Sequence, residues 1–163
     1  YYGCLLLRQP GEMQFDDPER PRVLEDLLRS LGGEVVDFPH AAECCGSYLA
    51  VSAPATARAC SSAILEAAGR RGAQALLVSC PLCQYNLDRA QAAPPGGAER
   101  PGSNGAGRGA AAPGPAPGRG LPVLYFTQLL ALALGCAEAS LALEGHAVDP
   151  RPVLAPWLAP APA

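Results

Sequence analysis

Apolar residues along this 163-residue chain follow two alternating patterns. The first is a short continuous run. Glu34–Phe38 (EVVDF), Ala75–Ser79 (ALLVS) and Val123–Phe126 (VLYF) each predict a strand, and runs of this kind mark strands covered on both faces. Tyr1-Tyr2 reads as the end of one further strand. The second pattern repeats at helical spacing. Leu24, Leu27, Leu28 and Leu31 share one face of a helix expected to open at an Asp17 N-cap with Pro18 in its first turn, and to close at Gly32-Gly33. Ala57, Cys60, Ile64 and Ala68 line a second helix, opened by Ser52 and Pro54 and ended near residues 69–72. Pro81 starts a short helix through Arg89, and Thr127 caps another that runs to Gly135. Strands that alternate with helices predict an α/β fold, a parallel Rossmann-like sheet flanked by helices.

Two stretches carry neither pattern. Residues 90–120 hold 15 Gly or Pro in 31 positions and offer no face to bury, so a disordered insertion is expected there. Residues 155–163 are similarly rich in Pro and Ala and are expected to form a flexible tail. The patterned remainder, 1–89 with 121–154, is enough for one domain with one core.

Composition narrows the function. All twelve basic residues are Arg, the net charge is −3 and the pI is about 5.3, which leaves no basic footprint for nucleic acid or an anionic membrane. The longest apolar stretch, Val123 to Ala137, is interrupted by Thr127 and Gln128. It is shorter than the roughly 20 residues of a spanning helix. No charged start with an apolar core marks a secretory signal, so a cytoplasmic location is expected. The first residue is Tyr rather than Met, and the chain is expected to be an N-terminally truncated piece of a longer one.

Candidate chemistry lies in five of the seven Cys. Cys4 follows the first predicted strand, Cys44-Cys45 the second, and Cys80 with Cys83 the third. Open parallel sheets bind ligands beyond the carboxyl ends of their strands, so three strand exits would bring sulfur to one edge. Soft thiolates select zinc or iron–sulfur centres. Cys80-Pro81-Leu82-Cys83 straddles a predicted helix N-terminus, whose free N–H groups favour thiolate. Adjacent Cys44 and Cys45 reach one centre only across a bent loop, which Gly46 permits. A pair of neighbouring thiolates exceeds what a simple tetrahedral site needs and hints at a multi-iron cluster.

The order Cys4, 39 residues, Cys44-Cys45-Gly46, 33 residues, Cys80-x-x-Cys83 resembles the CCG (cysteine-rich) domain of the B subunit of CoB–CoM heterodisulfide reductase and its bacterial relatives. YYGCLL, FDDPERP, ECCG, SCPLCQYNLD, LPVLYFTQLLALALG and HAVDPRPVL all look like stretches of the second of two such domains in that subunit. The resemblance implies an iron–sulfur cluster of non-cubane [4Fe-4S] type at the carboxyl edge of the sheet, bound by Cys4, Cys44, Cys45, Cys80 and Cys83. It also implies an oxidoreductase subunit that passes electrons to a disulfide or related substrate. The implied partners are a ferredoxin-like iron–sulfur subunit, a flavin-containing subunit and a first CCG domain missing from this chain, without which the fragment is expected to be inactive. The chain departs from the family in the long 90–120 segment. Its Arg-only, Ala/Gly/Pro-rich composition points to a bacterial relative.

Other readings stand beside this one. A structural zinc site would use four of the five thiols and leave one spare. A metal-free dithiol is suggested by the likeness of Cys80-Pro81-Leu82-Cys83 to the glutaredoxin motif, but Cys44-Cys45 would then have no role. A non-catalytic electron-relay module of another oxidoreductase complex is the remaining alternative. Cys60 and Cys136 are expected to pack in the core. His40 and His146 are weak candidates for delivering protons, with a structural or solvated role favoured for each.

Overall fold

A computed structural model of the chain describes residues 1–92 and 120–158. In chain order its helices are α1 (Pro10–Met13), α2 (Val23–Ser30), α3 (Pro54–Arg70), α4 (Pro81–Gln91), α5 (Phe126–Ala133) and α6 (Arg151–Leu158). Strands β1 (Leu76–Val78) and β2 (Val123–Tyr125) pair in parallel, with Leu76 opposite Val123 and Val78 opposite Tyr125. Side chains alternate across a strand, so this small sheet feeds two cores. Leu76, Val78 and Val123 pack with Ile64 and Ala68 of α3 and with Cys83 and Leu87 of α4. Leu124 packs on the opposite side with Leu129 and Leu132 of α5 and Leu154 of α6, joined at their margin by Leu28 and Leu31. The result is a mixed helix and parallel-strand architecture of the α/β kind.

The sequence predicts four strands, and the described residues contain two. Glu34–Phe38 carries no ladder, and residues 34–38 make no backbone–backbone hydrogen bond among the described residues. Tyr1-Tyr2 makes one bond to each side, from the Tyr1 ammonium to Leu77 O (2.9 Å) and from Tyr2 N–H to Ala41 O (2.8 Å). Single bonds of this kind fix a position but do not make a ladder.

Helix boundaries differ from expectation for local reasons. The first predicted helix does not open at Pro18. Asp17 Oδ1 instead accepts from the N–H groups of Glu19 and Arg20, closing a turn, and Pro21 disfavours helical backbone at Arg20. The working N-terminal acceptor of α2 is Asp16, whose Oδ2 takes the N–H groups of Arg22 and Val23 at 2.7 Å each. Burial alone would push the Asp16 carboxyl up, but hydrogen bonds from Val23, Asp17 and Arg22 hold it below its usual range. Its contribution is therefore present above the ordinary carboxylate pKa and is lost as the pH falls through the lowered value. Asp16→Ala is expected to cost about 1 kcal/mol at neutral pH, the usual worth of a cap. Parallel denaturant titrations at neutral and acidic pH check both size and sign, because the difference must shrink in acid.

Thr127 caps nothing in α5. The N-cap is Tyr125, and Gln128 Oε1 accepts its N–H at 2.9 Å. Residues 155–158, expected to fray, form the last turn of α6, while residues 159–163 lie outside the described set. Most of the expected 90–120 insertion also lies outside it. Its two flanks are drawn together: Gln91 Nε2 donates to Leu121 O at 2.8 Å, and Leu121 N–H donates to Gln91 Oε1 at 2.7 Å. Among the described residues no helix is long and apolar enough to cross a membrane.

Candidate metal centre

The site is built where β1 ends. Two residues past Val78, Cys80 is the N-cap of α4 in extended backbone, Pro81 fills the first helical position at no hydrogen-bonding cost, and Cys83 sits one turn in. Cys83 is buried, and its Sγ lies 3.3 Å from the buried Sγ of Cys45. The Cys44-Cys45 loop reaches this point because it bends at Gly46 (φ +83°). Its backbone there lies so close to α3 that a Cβ on Gly46 would stand 2.8 Å from the Ala57 Cα. Ser61 of α3 pins the loop by donating from Oγ to Cys45 O at 2.9 Å. Gly46 N–H donates to Cys44 Sγ at 3.4 Å, and Asn86 Nδ2 lies 3.9 Å from Cys45 Sγ.

The N-terminal turn closes the remaining side. A Cβ on Gly3 (φ +69°) would stand 3.0 Å from Cys83 Sγ, so glycine lets this turn lie against the thiol. The next residue, Cys4, is buried, and its burial together with the neighbouring Cys44 raises its thiol. Cys80 lies near Cys83, at the opposite end of the first turn of α4. The five thiols therefore gather at the end of β1, with Cys45 and Cys83 in direct contact. Tyr1 lies over it, its hydroxyl donating to Glu43 O at 2.7 Å. Burial and the nearby Cys83 push that phenol above its usual range.

Electrostatically the central pair is split. The hydrogen bond between Cys45 and Cys83 lowers Cys45 to about 6 against its burial, helped by Ser47 and Asn86, while the same bond and burial push Cys83 up. Burial also raises Cys4. In the reduced, metal-free chain, ultraviolet thiolate absorbance is expected to show one thiol ionising near pH 6. Cys83→Ala, which removes that bond, should move the step upward.

All seven cysteines are free. Among the described residues no group of three or more His, Cys, Asp or Glu side chains is already spaced to hold a metal ion. The 3.3 Å contact of Cys45 and Cys83 is that of a sulfur–sulfur hydrogen bond. Sulfurs sharing a tetrahedral metal at about 2.3 Å per bond stand roughly 3.8 Å apart, so Cys45 and Cys83 would separate slightly to share one. In donor chemistry the set fits a thiophilic centre: five sulfurs, two of them at a helix N-terminus, in a largely dry pocket.

The other candidates fall elsewhere. Cys60 is half-buried beside Gly46, and Cys136, expected to pack, is exposed because it lies three residues past the end of α5 at Ala133. His40 adopts φ +73°, and its Nδ1 lies 2.8 Å from Glu43 Oε1 without the alignment of a hydrogen bond. His146 Nε2 meets Gln128 Nε2 at 2.9 Å. Since that amide nitrogen can only donate, Nε2 accepts and Nδ1 carries the proton. This Nδ1 is buried without a partner, as is Oδ1 of Asp88, whose Oδ2 accepts Ala147 N–H at 2.7 Å. Sequence reading missed Tyr1, Gly3, Ser61 and Asn86. Only Asn86 had a legible signal, lying one helical turn beyond Cys83 on the same face.

A parallel α/β layer that presents clustered cysteines at the carboxyl end of its strand defines a thiol-rich redox or metal-binding domain. The chain belongs to the CCG family: the model described as "Cysteine-rich domain" matches residues 1–88, more than half of it. It is 29% identical over 149 residues to the 8-methylmenaquinol:fumarate reductase membrane anchor subunit of Wolinella succinogenes, covering 91% of this chain and 46% of that protein. It is 27% identical over 151 residues to the B subunit of the ferredoxin/F(420)H(2)-dependent CoB-CoM heterodisulfide reductase of Methanosarcina acetivorans, covering 91% of this chain and 45% of that protein. The B subunit of the ferredoxin:CoB-CoM heterodisulfide reductase of Methanosarcina mazei matches to the same extent. The chain thus spans a little under half the length of these curated relatives.

Proposed function

We propose that this domain holds an iron–sulfur cluster, of non-cubane [4Fe-4S] type, through Cys4, Cys44, Cys45, Cys80 and Cys83. It does so as part of an oxidoreductase subunit of the heterodisulfide-reductase kind. The observation that carries the reading is the gathering of five free thiols at the end of β1, drawn from three separate parts of the chain, with Cys45 and Cys83 in contact. The cluster supplies one-electron chemistry, delivered to a disulfide or a related acceptor. The chain's own residues bind and shield. α4 orients Cys80 and Cys83, the Ser61–Cys45 hydrogen bond holds the loop, and Tyr1 keeps water from the sulfurs. Neither His40 nor His146 makes a hydrogen bond to a thiol, which favours ligand rather than acid–base roles for the site's protein groups.

The reductase reading extends to partners: a second CCG domain, a ferredoxin-like iron–sulfur subunit and a flavin-containing subunit. Exposed Tyr48, Val51, Leu82 and Tyr85, from the loop after Cys45 and from α4, give the thiol edge an apolar rim suited to such docking. The likeness to a fumarate reductase subunit favours a second reading, a cluster that relays electrons without cleaving a disulfide itself.

Anaerobic purification followed by iron, acid-labile sulfide and zinc analysis tests the cofactor. Several irons with comparable sulfide are expected. A colourless protein with one zinc and no sulfide would replace the cluster by a structural zinc site.

A further inference from the structure

A small cleft of about 140 Å³ opens between α3 and α4, and none of the five thiols lines it. Its polar groups are Arg58 and Ser61 of α3 and Asn86 and Arg89 of α4, and small residues such as Ala57 and Ala90 leave the room between them. The volume lies well below the roughly 300–1,000 Å³ of a pocket for a cofactor-sized molecule, so only a small group fits.

Charge singles the cleft out. The two segments that build it, 44–61 and 80–91, hold a single acidic residue, Asp88, and that one is buried with Oδ2 taken by Ala147 N–H. The chain as a whole has 15 acidic residues against 12 basic ones. Two arginines meeting at a cleft with no carboxylate in its lining run against that balance. Among the described residues neither Arg58 nor Arg89 has a carboxylate within ion-pair distance, whereas Arg29, Arg70 and Arg151 each do. Two guanidiniums lining one small space repel, and an anion between them removes that cost. The donors are also partly set in place. Arg89 lies over the ring of Tyr85, one turn back, at 5.7 Å from its centroid, and this contact steadies the guanidinium. Asn86 Nδ2 lies 3.9 Å from Cys45 Sγ and Ser61 Oγ donates to Cys45 O, so the two uncharged groups of the cleft are fixed on the loop that carries Cys45.

We infer that this cleft is a binding site for a single oxyanion group, a phosphate or a carboxylate, gripped between the guanidiniums of Arg58 and Arg89. An arginine fork matches the spacing of two oxygens on such a group, and the Asn86 amide has a second hydrogen to donate. The two charges exclude a cationic occupant, and the volume excludes a bulky one. The inference does not rest on the cluster, and the site is separate from that of the electron acceptor, because no thiol lines it. Free phosphate and the carboxylate end of a small organic acid present the same chemistry, and the test separates them.

Arginine modification by phenylglyoxal on the full chain, read residue by residue by mass spectrometry, tests the site. A small anion held by two charge-assisted contacts has a dissociation constant on the order of 1 mM. At about 10 mM phosphate, Arg58 and Arg89 should therefore react about tenfold more slowly than in chloride of equal ionic strength. Arg20, exposed and outside the cleft, should react equally in both. Acetate in place of phosphate sorts the ligand: protection by both assigns a general oxyanion site, and protection by one assigns that anion. In Arg58→Ala, which removes an exposed side chain, the protection of Arg89 should vanish, because neither guanidinium holds the anion alone. Unchanged rates at Arg58 and Arg89 with both anions overturn the proposal. So does equal slowing at Arg20, which is a general salt effect, or protection of Arg89 that survives Arg58→Ala.

Discussion

Cys45→Ser is expected to strip the protein of its iron, lowering iron and sulfide content after anaerobic reconstitution by well over tenfold; even the loss of a partner behind a metal ligand costs about 10–100-fold in affinity. Cys83→Ser should do the same. Both sulfurs lie among the gathered thiols, 3.3 Å apart and buried, so neither has a neighbour placed to take over. Cys136→Ser is the control, because that thiol is exposed beyond the end of α5 and should leave iron content unchanged. Cys60→Ser sharpens the comparison. Cys60 is half-buried against Gly46, close enough to the loop to matter for packing but outside the five gathered thiols. If Cys60→Ser loses iron and Cys45→Ser retains it, the assignment of sulfurs is wrong.

The second large effect belongs to a residue with no side chain. Gly46→Ala should destabilise the apo fold by about 2–5 kcal/mol, measured by chemical denaturation under reducing conditions. Two costs add. A left-handed φ of +83° costs a non-glycine residue roughly 1–2 kcal/mol. The new methyl would also press into the α3 backbone at 2.8 Å from the Ala57 Cα, and overpacking of a rigid contact costs about 1–3 kcal/mol. The loop could escape only by moving away from α3, which would break the Ser61–Cys45 hydrogen bond and withdraw Cys45 from Cys83. Gly32→Ala has a similar φ, +81°, with open space around its Cβ, so it should show the backbone cost alone. The difference between the two variants isolates the packing of the loop on α3.

Much of the site was legible in the sequence because its chemistry is carried by residue type. Of the three predicted strand exits only that of β1 is a strand among the described residues, and Cys4 and Cys44-Cys45 arrive on irregular segments instead; the helix opening at Pro81 followed from Cys80-Pro81 itself. Other details depend on through-space geometry that no local pattern encodes. Asp16 rather than Asp17 accepts at the start of α2 because Pro21 shifts the helix start five residues along and Asp16 reaches across the turn that Asp17 closes. Gln128 lies inside an apolar run, yet it bonds Tyr125 N–H, Leu141 O and His146 at once, tying α5 to the chain beyond it. Nothing in VLYFTQLL marks those three partners. The strand reading of Glu34–Phe38 was sound as a pattern of side chains, but a strand also needs a neighbour, and pairing is a property of two segments. Cys136 shows the converse: its apolar surroundings in sequence suggested packing, and the end of α5 at Ala133, three residues earlier, left it in solvent.

Whether Cys4, Cys44, Cys45, Cys80 and Cys83 converge on one iron–sulfur cluster is decided by iron-edge anomalous diffraction from crystals grown anaerobically. A compact group of iron peaks is expected at the end of β1, touching all five sulfurs, with Cys45 and Cys83 drawn apart from their present 3.3 Å to bond metal. A single zinc held by four of the thiols, or a metal-free site in which Cys45 and Cys83 are joined as a disulfide, would contradict the cluster.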